Sequence, residues 1–242
     1  MAVRKTGSTS DGVRPPPGPY NPLDRINLAR SIELELLARD VTPLADRSPV
    51  RGSGIYALYY AGAFEIYRTV SNMPPDFHRP IYVGKAIPQG SRKGGLIETK
   101  GSSNSLGKRL GQHARSIRGA ANLDIADFYV RYLVVEDIWI PLGENVMIER
   151  FRPAWNLAVE GFGNNTLGGG RDKQKLSPWD VLHPGREQVR GSGDTPISQE
   201  FMIQRVADFL ADRPMAPLPR VVRKRQAIAD VLGEAGLTDE AV

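Results

Sequence analysis

The sequence predicts an α+β domain in which a small three-stranded antiparallel sheet is flanked by helices. Three short segments rich in aromatic and β-branched residues indicate the strands, at residues 54–60, 81–83 and 128–135. Longer segments with apolar residues three and four positions apart indicate helices, at residues 24–39, 105–118, 143–151 and 198–211. The first two strands are expected to pair with each other in antiparallel fashion.

The composition limits the classes of protein to consider. A chain of 242 residues with 40% hydrophobic content is long enough for one domain with appendages. It has no cysteine, which excludes disulfides, thiolate zinc sites and cysteine nucleophiles. No apolar segment approaches the ~20 residues of a membrane span, and the N-terminus lacks the apolar core of a signal peptide. We therefore expect a cytoplasmic protein with no membrane partner.

The chain divides into three parts. Residues 1–22 are poor in apolar side chains and predict a disordered arm, residues 23–212 the folded domain, and residues 213–242 a linker and helical tail. The helix at 24–39 has Asp24 as its cap or first-turn acid. Its predicted apolar stripe consists of Ile26, Ala29, Ile32, Leu36 and Leu37.

Two short sequences stand out in the first pair of strands. Gly54-Ile55-Tyr56 opens the first strand, and Tyr82-Val83-Gly84 forms and closes the second, so that each places a tyrosine beside a glycine. A tyrosine in a strand is usually a core residue, and we expect Tyr59 and Tyr60 to be core residues. Residues 61–80, between the strands, predict an irregular excursion.

Positive charge is concentrated between residues 85 and 118. This stretch contains eight Lys and Arg residues against the single acid Glu98, whereas the whole chain carries a net charge of +5. Such a concentration favours a polyanionic partner. Within it, residues 85–104 predict a long loop, and Arg109 and His113 share one face of the helix at 105–118. The buried stripe of that helix is predicted to be Leu106, Leu110, Ala114 and Ile117.

The second half of the domain adds an acid and an amide. The helix at 143–151 carries Glu144 near its start and is ended by Pro153, after which Asn156 follows. The glycine-rich segment 161–171 is not a nucleotide-binding P-loop, because no Gly-Lys-Ser/Thr sequence and helix follow it directly. Residues 178–186 predict a compact turn.

In this order, these pieces resemble the motifs of the GIY-YIG nuclease superfamily over residues 54–156. The two strand motifs are similar to its paired signature, residues 106–113 to its arginine-bearing helix, and residues 144–156 to its metal-ligand helix and terminal asparagine. The interval to Asn156 favours Glu144 over Glu149 as the metal ligand. Residues 161–164, 168–171 and 179–186 further resemble the homodimeric type II restriction endonucleases of this superfamily that cut CCGCGG.

The resemblance implies a role for each motif residue. Tyr56 would be the general base or would position the water, Tyr82 would hold phosphate or water, and Arg109 would stabilise charge on the phosphate. His113 would orient Tyr56 or contact the phosphate, and Lys85 would contact phosphate or lower the pKa of Tyr56. Glu144 would hold Mg²⁺, for which Mn²⁺ is expected to substitute, and Asn156 would brace the site.

The resemblance also implies partners. These are double-stranded DNA, a second copy of the chain in a homodimer, and a cognate DNA methyltransferase that acts in the same restriction–modification system without a stable complex. Candidate DNA contacts are Arg92, Lys93, Lys108, Arg115, Arg171, Lys173, Lys175, Arg186 and Arg190. The sequence does not separate base contacts from phosphate contacts. Two alternatives remain open: a repair or mobile-element nuclease that nicks as a monomer, and a catalytically inactive DNA-binding relative.

Overall fold

The computed structural model of the chain describes residues 21–46, 50–88, 103–163, 176–186 and 195–219. Within them, four strands form one antiparallel sheet in the order β1-β4-β2-β3: β1 (Thr42–Pro43), β2 (Gly54–Tyr60), β3 (Pro80–Ala86) and β4 (Phe128–Val134). The helices are α1 (Arg25–Leu37), α2 (Ser105–Gly119), α3 (Ile140–Phe151), α4 (Ala154–Leu157), α5 (Pro178–Leu182) and α6 (Gln199–Leu210). The predicted fold class is confirmed, and the two-residue β1 adds a fourth strand.

β2 is the strand around which the two layers of helices are arranged. It pairs with β3 on one side and β4 on the other, and all seven of its residues are buried. Every second side chain, beginning with Tyr56, enters the core that contains α2, while the alternate ones, beginning with Ile55, enter the core that contains α1 and α3. The prediction that Tyr59 and Tyr60 are core residues is confirmed, since both are buried.

β3 is an edge strand that presents side chains to both layers. Tyr82 lies opposite Leu58 in the register and Lys85 lies opposite Ile55. Directly opposed residues of an antiparallel pair point to the same face of the sheet. β3 therefore sends Tyr82 toward α2 and Lys85 toward α3, and groups from both layers meet at this edge of the sheet.

The predicted apolar stripe of the first helix is partly wrong. Leu36 and Ala29 are buried as expected, but Ile26 is 71% exposed. α1 packs against α3 and β4, and Ile26 stands in its first turn, outside the buried part of the helix. Periodicity places residues on a common face of a helix, but it does not show how far along the helix its neighbour extends.

The other helices follow the sequence closely, with two differences. The predicted stripe of α2 is confirmed, because Leu106, Leu110, Ala114 and Ile117 are all buried. α3 begins three residues earlier than predicted, at Ile140, with a proline in its first turn. The predicted turn at 178–186 contains the short helix α5, at whose start the Ser177 hydroxyl accepts from the Asp180 backbone amide. Predictions for residues 1–20 and 220–242 lie outside the described residues.

Candidate active site

A buried tyrosine–histidine pair lies between β2 and α2. The Tyr56 hydroxyl oxygen is 2.6 Å from His113 Nε2, and neither side chain is more than 1% exposed. Tyr56 is the third residue of the central strand, and His113 lies on the buried side of α2. The sheet and the helix thus fix both partners, and a proton can pass between them without rearrangement of the backbone.

Gly84 provides the space that the Tyr56 side chain occupies. The two residues are register partners on β2 and β3. A Cβ atom at Gly84 would lie 2.4 Å from the Tyr56 hydroxyl oxygen, closer than any real contact of this kind. The glycine of the second strand motif is therefore required because the phenol lies across that strand. The prediction that Gly84 closes the strand is wrong, since β3 continues to Ala86.

Arg109 lies one turn before His113 on α2 and reaches toward both site tyrosines. Burial raises the pKa of Tyr56 and of Tyr82, and the charge and hydrogen bonding of Arg109 oppose that rise. Its Nη2 donates to the carbonyl oxygen of Gly163 at 2.8 Å, and Nη1 donates to Gln112 Oε1 at 3.2 Å. These contacts hold the guanidinium beside the phenols, where an anionic phosphate would find a fixed positive charge.

Burial sets the protonation states of the pair. It raises the pKa of Tyr56 well above the ordinary value, with Tyr82 adding to the rise and Arg109 opposing it. It also lowers the pKa of His113 well below 6.5, assisted by Arg109 and Arg186. At neutral pH the phenol therefore keeps its proton and the imidazole is neutral, with one ring nitrogen able to accept.

Glu144 and Lys85 meet from the other layer of the fold. Glu144 on α3 forms a close ion pair with the Lys85 ammonium on β3, and the Glu144 side chain is only 16% exposed. Glu149, on the same helix, is exposed. Burial raises the pKa of Tyr82, Arg109 opposes that rise, and the negative charge of Glu144 adds to it.

The donor set at Glu144 fits a hard divalent cation that keeps most of its water. Among the described residues, no group of three or more His, Cys, Asp or Glu side chains is placed to hold a metal. Mg²⁺ needs no such cage, because it commonly binds one or two carboxylates together with water and substrate phosphate oxygens. The sheltered carboxylate of Glu144, at the same strand edge as Tyr82 and Lys85, meets that requirement.

Asn156 braces the edge strand. Its side-chain oxygen accepts from the Val83 amide and its side-chain nitrogen donates to the Val83 carbonyl oxygen, both at 2.8 Å. Val83 stands between Tyr82 and Gly84, so the two bonds fix the backbone that carries the second strand motif. Asn156 acts on the position of the site and does not point at the tyrosine–histidine pair.

The predicted DNA contacts fall into three groups. Lys108 and Arg115 are exposed on α2, where they line a surface cavity on the side of the helix that faces β1 and β4. Arg186 is buried, with its guanidinium bound to Asp180, and the expectation that it contacts DNA is corrected on this ground. The remaining candidates lie outside the described residues: Arg92, Lys93, Arg171, Lys173, Lys175 and Arg190.

Sequence reasoning did not assign a role to Phe162 and Gly163. The Phe162 ring stacks on His113 with a centroid distance of 4.5 Å and an angle of 17° between the planes. A Cβ atom at Gly163 would lie 2.8 Å from the Tyr82 hydroxyl and 3.1 Å from Arg109 Nη2. The sequence feature that could have indicated this role is an aromatic residue between two glycines, because a glycine-rich backbone can approach a site closely.

Most of the chain is similar to a described protein family. Residues 48–210 match the family described as the Eco29kI GIY-YIG domain, which is about two thirds of the 242-residue chain and contains every motif residue of the site. No curated protein matches the chain. None of the helices in the described ranges has the length and apolar character needed to cross a membrane.

Proposed function

The chain belongs to the Eco29kI GIY-YIG family of restriction endonucleases, and from this premise we propose that it is a Mg²⁺-dependent type II enzyme. Its substrate would be double-stranded DNA, cut at a short G·C-rich palindrome, CCGCGG. Membership of the family makes the chain a restriction-type nuclease. The observation that carries the hydrolytic chemistry is the buried Tyr56–His113 pair, with Arg109 on α2 and Glu144 paired to Lys85 on β3. The choice of palindrome rests on the resemblance of residues 161–164, 168–171 and 179–186 to the enzymes that cut CCGCGG.

The pair would activate the attacking water. Because the phenol of Tyr56 is neutral, it accepts a proton from water most readily if it passes its own proton to His113 Nε2. The water oxygen then bonds to phosphorus, the bond from phosphorus to the 3′ oxygen breaks, and the departing 3′ oxygen takes a proton from solvent water. The neutral His113 has the free ring nitrogen that this transfer needs.

Arg109 and Glu144 would handle the charge. The Arg109 guanidinium donates to non-bridging phosphate oxygens, where negative charge builds up during attack. Glu144 would hold Mg²⁺, with Mn²⁺ as a substitute, and Lys85 stands beside it as a further phosphate contact. A divalent cation held by Glu144 would supply charge stabilisation to the phosphate and to the departing oxygen.

A palindromic target implies a two-fold assembly. Each chain carries one such site, so cutting both strands at symmetric positions needs two chains related by a two-fold axis. We therefore propose a homodimer. In a prokaryotic cytoplasm, the enzyme would act beside a cognate DNA methyltransferase that protects the host sites. Contacts would come from the basic residues that remain candidates, including Lys108 and Arg115 on α2.

One digestion tests the proposal. The purified protein is incubated with phage DNA in Mg²⁺, in Mn²⁺ and in EDTA, and the fragment ends are sequenced. We expect discrete fragments with either cation, none in EDTA, and ends within CCGCGG. Ends within another palindrome would keep the class and change the site. Scattered nicks would favour a repair or mobile-element nuclease, and intact, bound DNA would favour an inactive relative.

A further inference from the structure

We propose that Arg186 is a positioning residue of the active site, which fixes His113 and Arg109 through the backbone of residues 161–163. This inference rests on the proposed nuclease function for one of its two tests. The proposal gives a role to the buried Arg186–Asp180 ion pair, which takes no part in the proposed hydrolysis.

The anchor of this arrangement is a desolvated ion pair. Arg186 Nε and Nη2 donate to the two carboxylate oxygens of Asp180, each at 2.8 Å. Their side chains are only 3% and 5% exposed. The guanidinium also lies 4.8 Å from the centre of the Trp179 ring. Two parallel hydrogen bonds between a planar guanidinium and a planar carboxylate fix their relative orientation. They also fix the directions in which the remaining N–H groups of Arg186 point.

Those donors reach the segment beside the site. Arg186 Nη1 is 3.4 Å from the Phe162 carbonyl oxygen and 3.3 Å from Ser116 Oγ on α2, and Nη2 is 3.5 Å from the Gly161 carbonyl oxygen. Each bond is long, but together they join three elements at one guanidinium. Arg186 therefore ties the segment at 161–163 to the helix that carries His113.

The segment in turn contacts two catalytic candidates. The Phe162 ring stacks on the His113 ring, and the Gly163 carbonyl accepts from Arg109 Nη2 at 2.8 Å. A shift of this backbone would rotate the imidazole away from Tyr56 and release one anchor of the Arg109 guanidinium. Displacements near 1 Å in such sites reduce rates by roughly a hundredfold.

The charge of Arg186 also acts on His113 directly. The groups that face His113 are Tyr56 from β2, Tyr82 from β3, Arg109 from α2 and Phe162. Burial, then Arg109, then Arg186 lower the pKa of His113. Arg186 thereby keeps the imidazole in the neutral form that can accept a hydrogen bond from Tyr56, in addition to fixing its position, while its charge makes His113 a weaker base.

Arg205 provides a matched control. It is a second buried arginine, 8% exposed, and it also donates to backbone carbonyl oxygens, those of Ala158 and Ala216. Its acceptors lie just after α4 and in the segment after α6, and neither of them is a site residue. Arg186→Lys and Arg205→Lys both keep the positive charge and remove the guanidinium group. The two variants therefore differ only in which contacts of that group are lost.

The first test measures single-turnover cleavage of a duplex that carries the mapped site, together with its binding in EDTA. For Arg186→Lys we expect a rate constant lower by tenfold to a hundredfold, with binding within about twofold of wild type. Arg205→Lys should stay within about twofold in both. Equal rate losses in the two variants, or a loss of binding as large as the loss of rate, would overturn the proposal.

The second test needs no catalysis. The chain has three histidines, so imidazole ¹⁵N resonances can be assigned with His113→Gln and His183→Gln. Arg186→Lys should shift the His113 resonances, whereas Arg205→Lys should not, and exposed His78 serves as the reference. Unchanged His113 signals in Arg186→Lys would overturn the proposal. A wild-type protein that cuts no DNA would contradict the proposed function. The second test would still decide whether Arg186 positions His113.

Discussion

The hydroxyl of Tyr56 lies against the backbone of Gly84, its register partner on the neighbouring strand. A methyl group at Gly84 would have to occupy the position of the phenol. We expect Gly84→Ala to lower the single-turnover rate by at least about a hundredfold, because the phenol must leave His113. Gly111→Ala is the control, since its Cβ would meet only Arg115 Nη1 at 3.8 Å. Equal activity of the two variants would contradict this geometry.

The two glutamates of α3 give a second prediction. Glu144→Gln removes the charge that would hold the cation but keeps the shape, so cleavage should be abolished while DNA binding stays nearly intact. Glu149→Gln, on an exposed position of the same helix, should leave both unchanged. Cleavage is followed on the mapped duplex and binding is measured by anisotropy in EDTA. The opposite pattern would move the metal ligand to Glu149.

The pH dependence of the rate follows from the lowered pKa of His113. The neutral imidazole is the form that accepts a proton, and burial, Arg109 and Arg186 keep it neutral to well below pH 6.5. The single-turnover rate should therefore fall only as the pH drops through that lowered pKa, with an acid midpoint below 6.5. A midpoint at or above 6.5 would exclude His113 as the acceptor.

We expect His183 to make the fold less stable in acid. It is fully buried, bonded to Tyr67 and Asn122, and burial lowers its pKa to about 3. In the unfolded chain the imidazole has a pKa near 6.5, so as the pH drops the unfolded state binds a proton before the folded state does. The free energy of unfolding should thus fall as the pH drops from 6.5 toward 3, by up to about 1.4 kcal/mol per pH unit from this group.

Urea unfolding at several pH values measures that slope. His183→Gln should flatten it, because glutamine does not titrate in this range. His78→Gln, at an exposed position, should leave it unchanged. An unaltered slope in His183→Gln would assign the acid lability to other groups, of which buried His113 is the first to test by the same substitution.

β2, β3 and α2 could be predicted from local sequence patterns. A strand rich in aromatic residues and a helix with a clear apolar stripe depend mainly on neighbours within a few positions, which a sequence displays. β1 was missed because two residues hold no pattern, and it exists only through its pairing with β4. Ile26 was misplaced because its exposure depends on where α3 ends against α1.

Arg186 was misread for a different reason. Arginines in a basic protein are usually exposed, so its sequence context favoured DNA contact. Its burial depends on Asp180, six positions earlier, and on a turn that brings the two together at the end of α5. The motif residues could be found because they recur at family spacings, whereas a supporting ion pair has no spacing of its own.

The two bonds from Asn156 to Val83 have a further consequence for how the molecule meets other polymers. A side-chain amide presents the same donor and acceptor as a peptide group, so Asn156 stands where the backbone of a fifth strand would bond. An uncovered strand edge recruits other polypeptides into a sheet. Because the backbone groups of Val83 are already bonded to Asn156, a further β-strand cannot pair with the edge at this position.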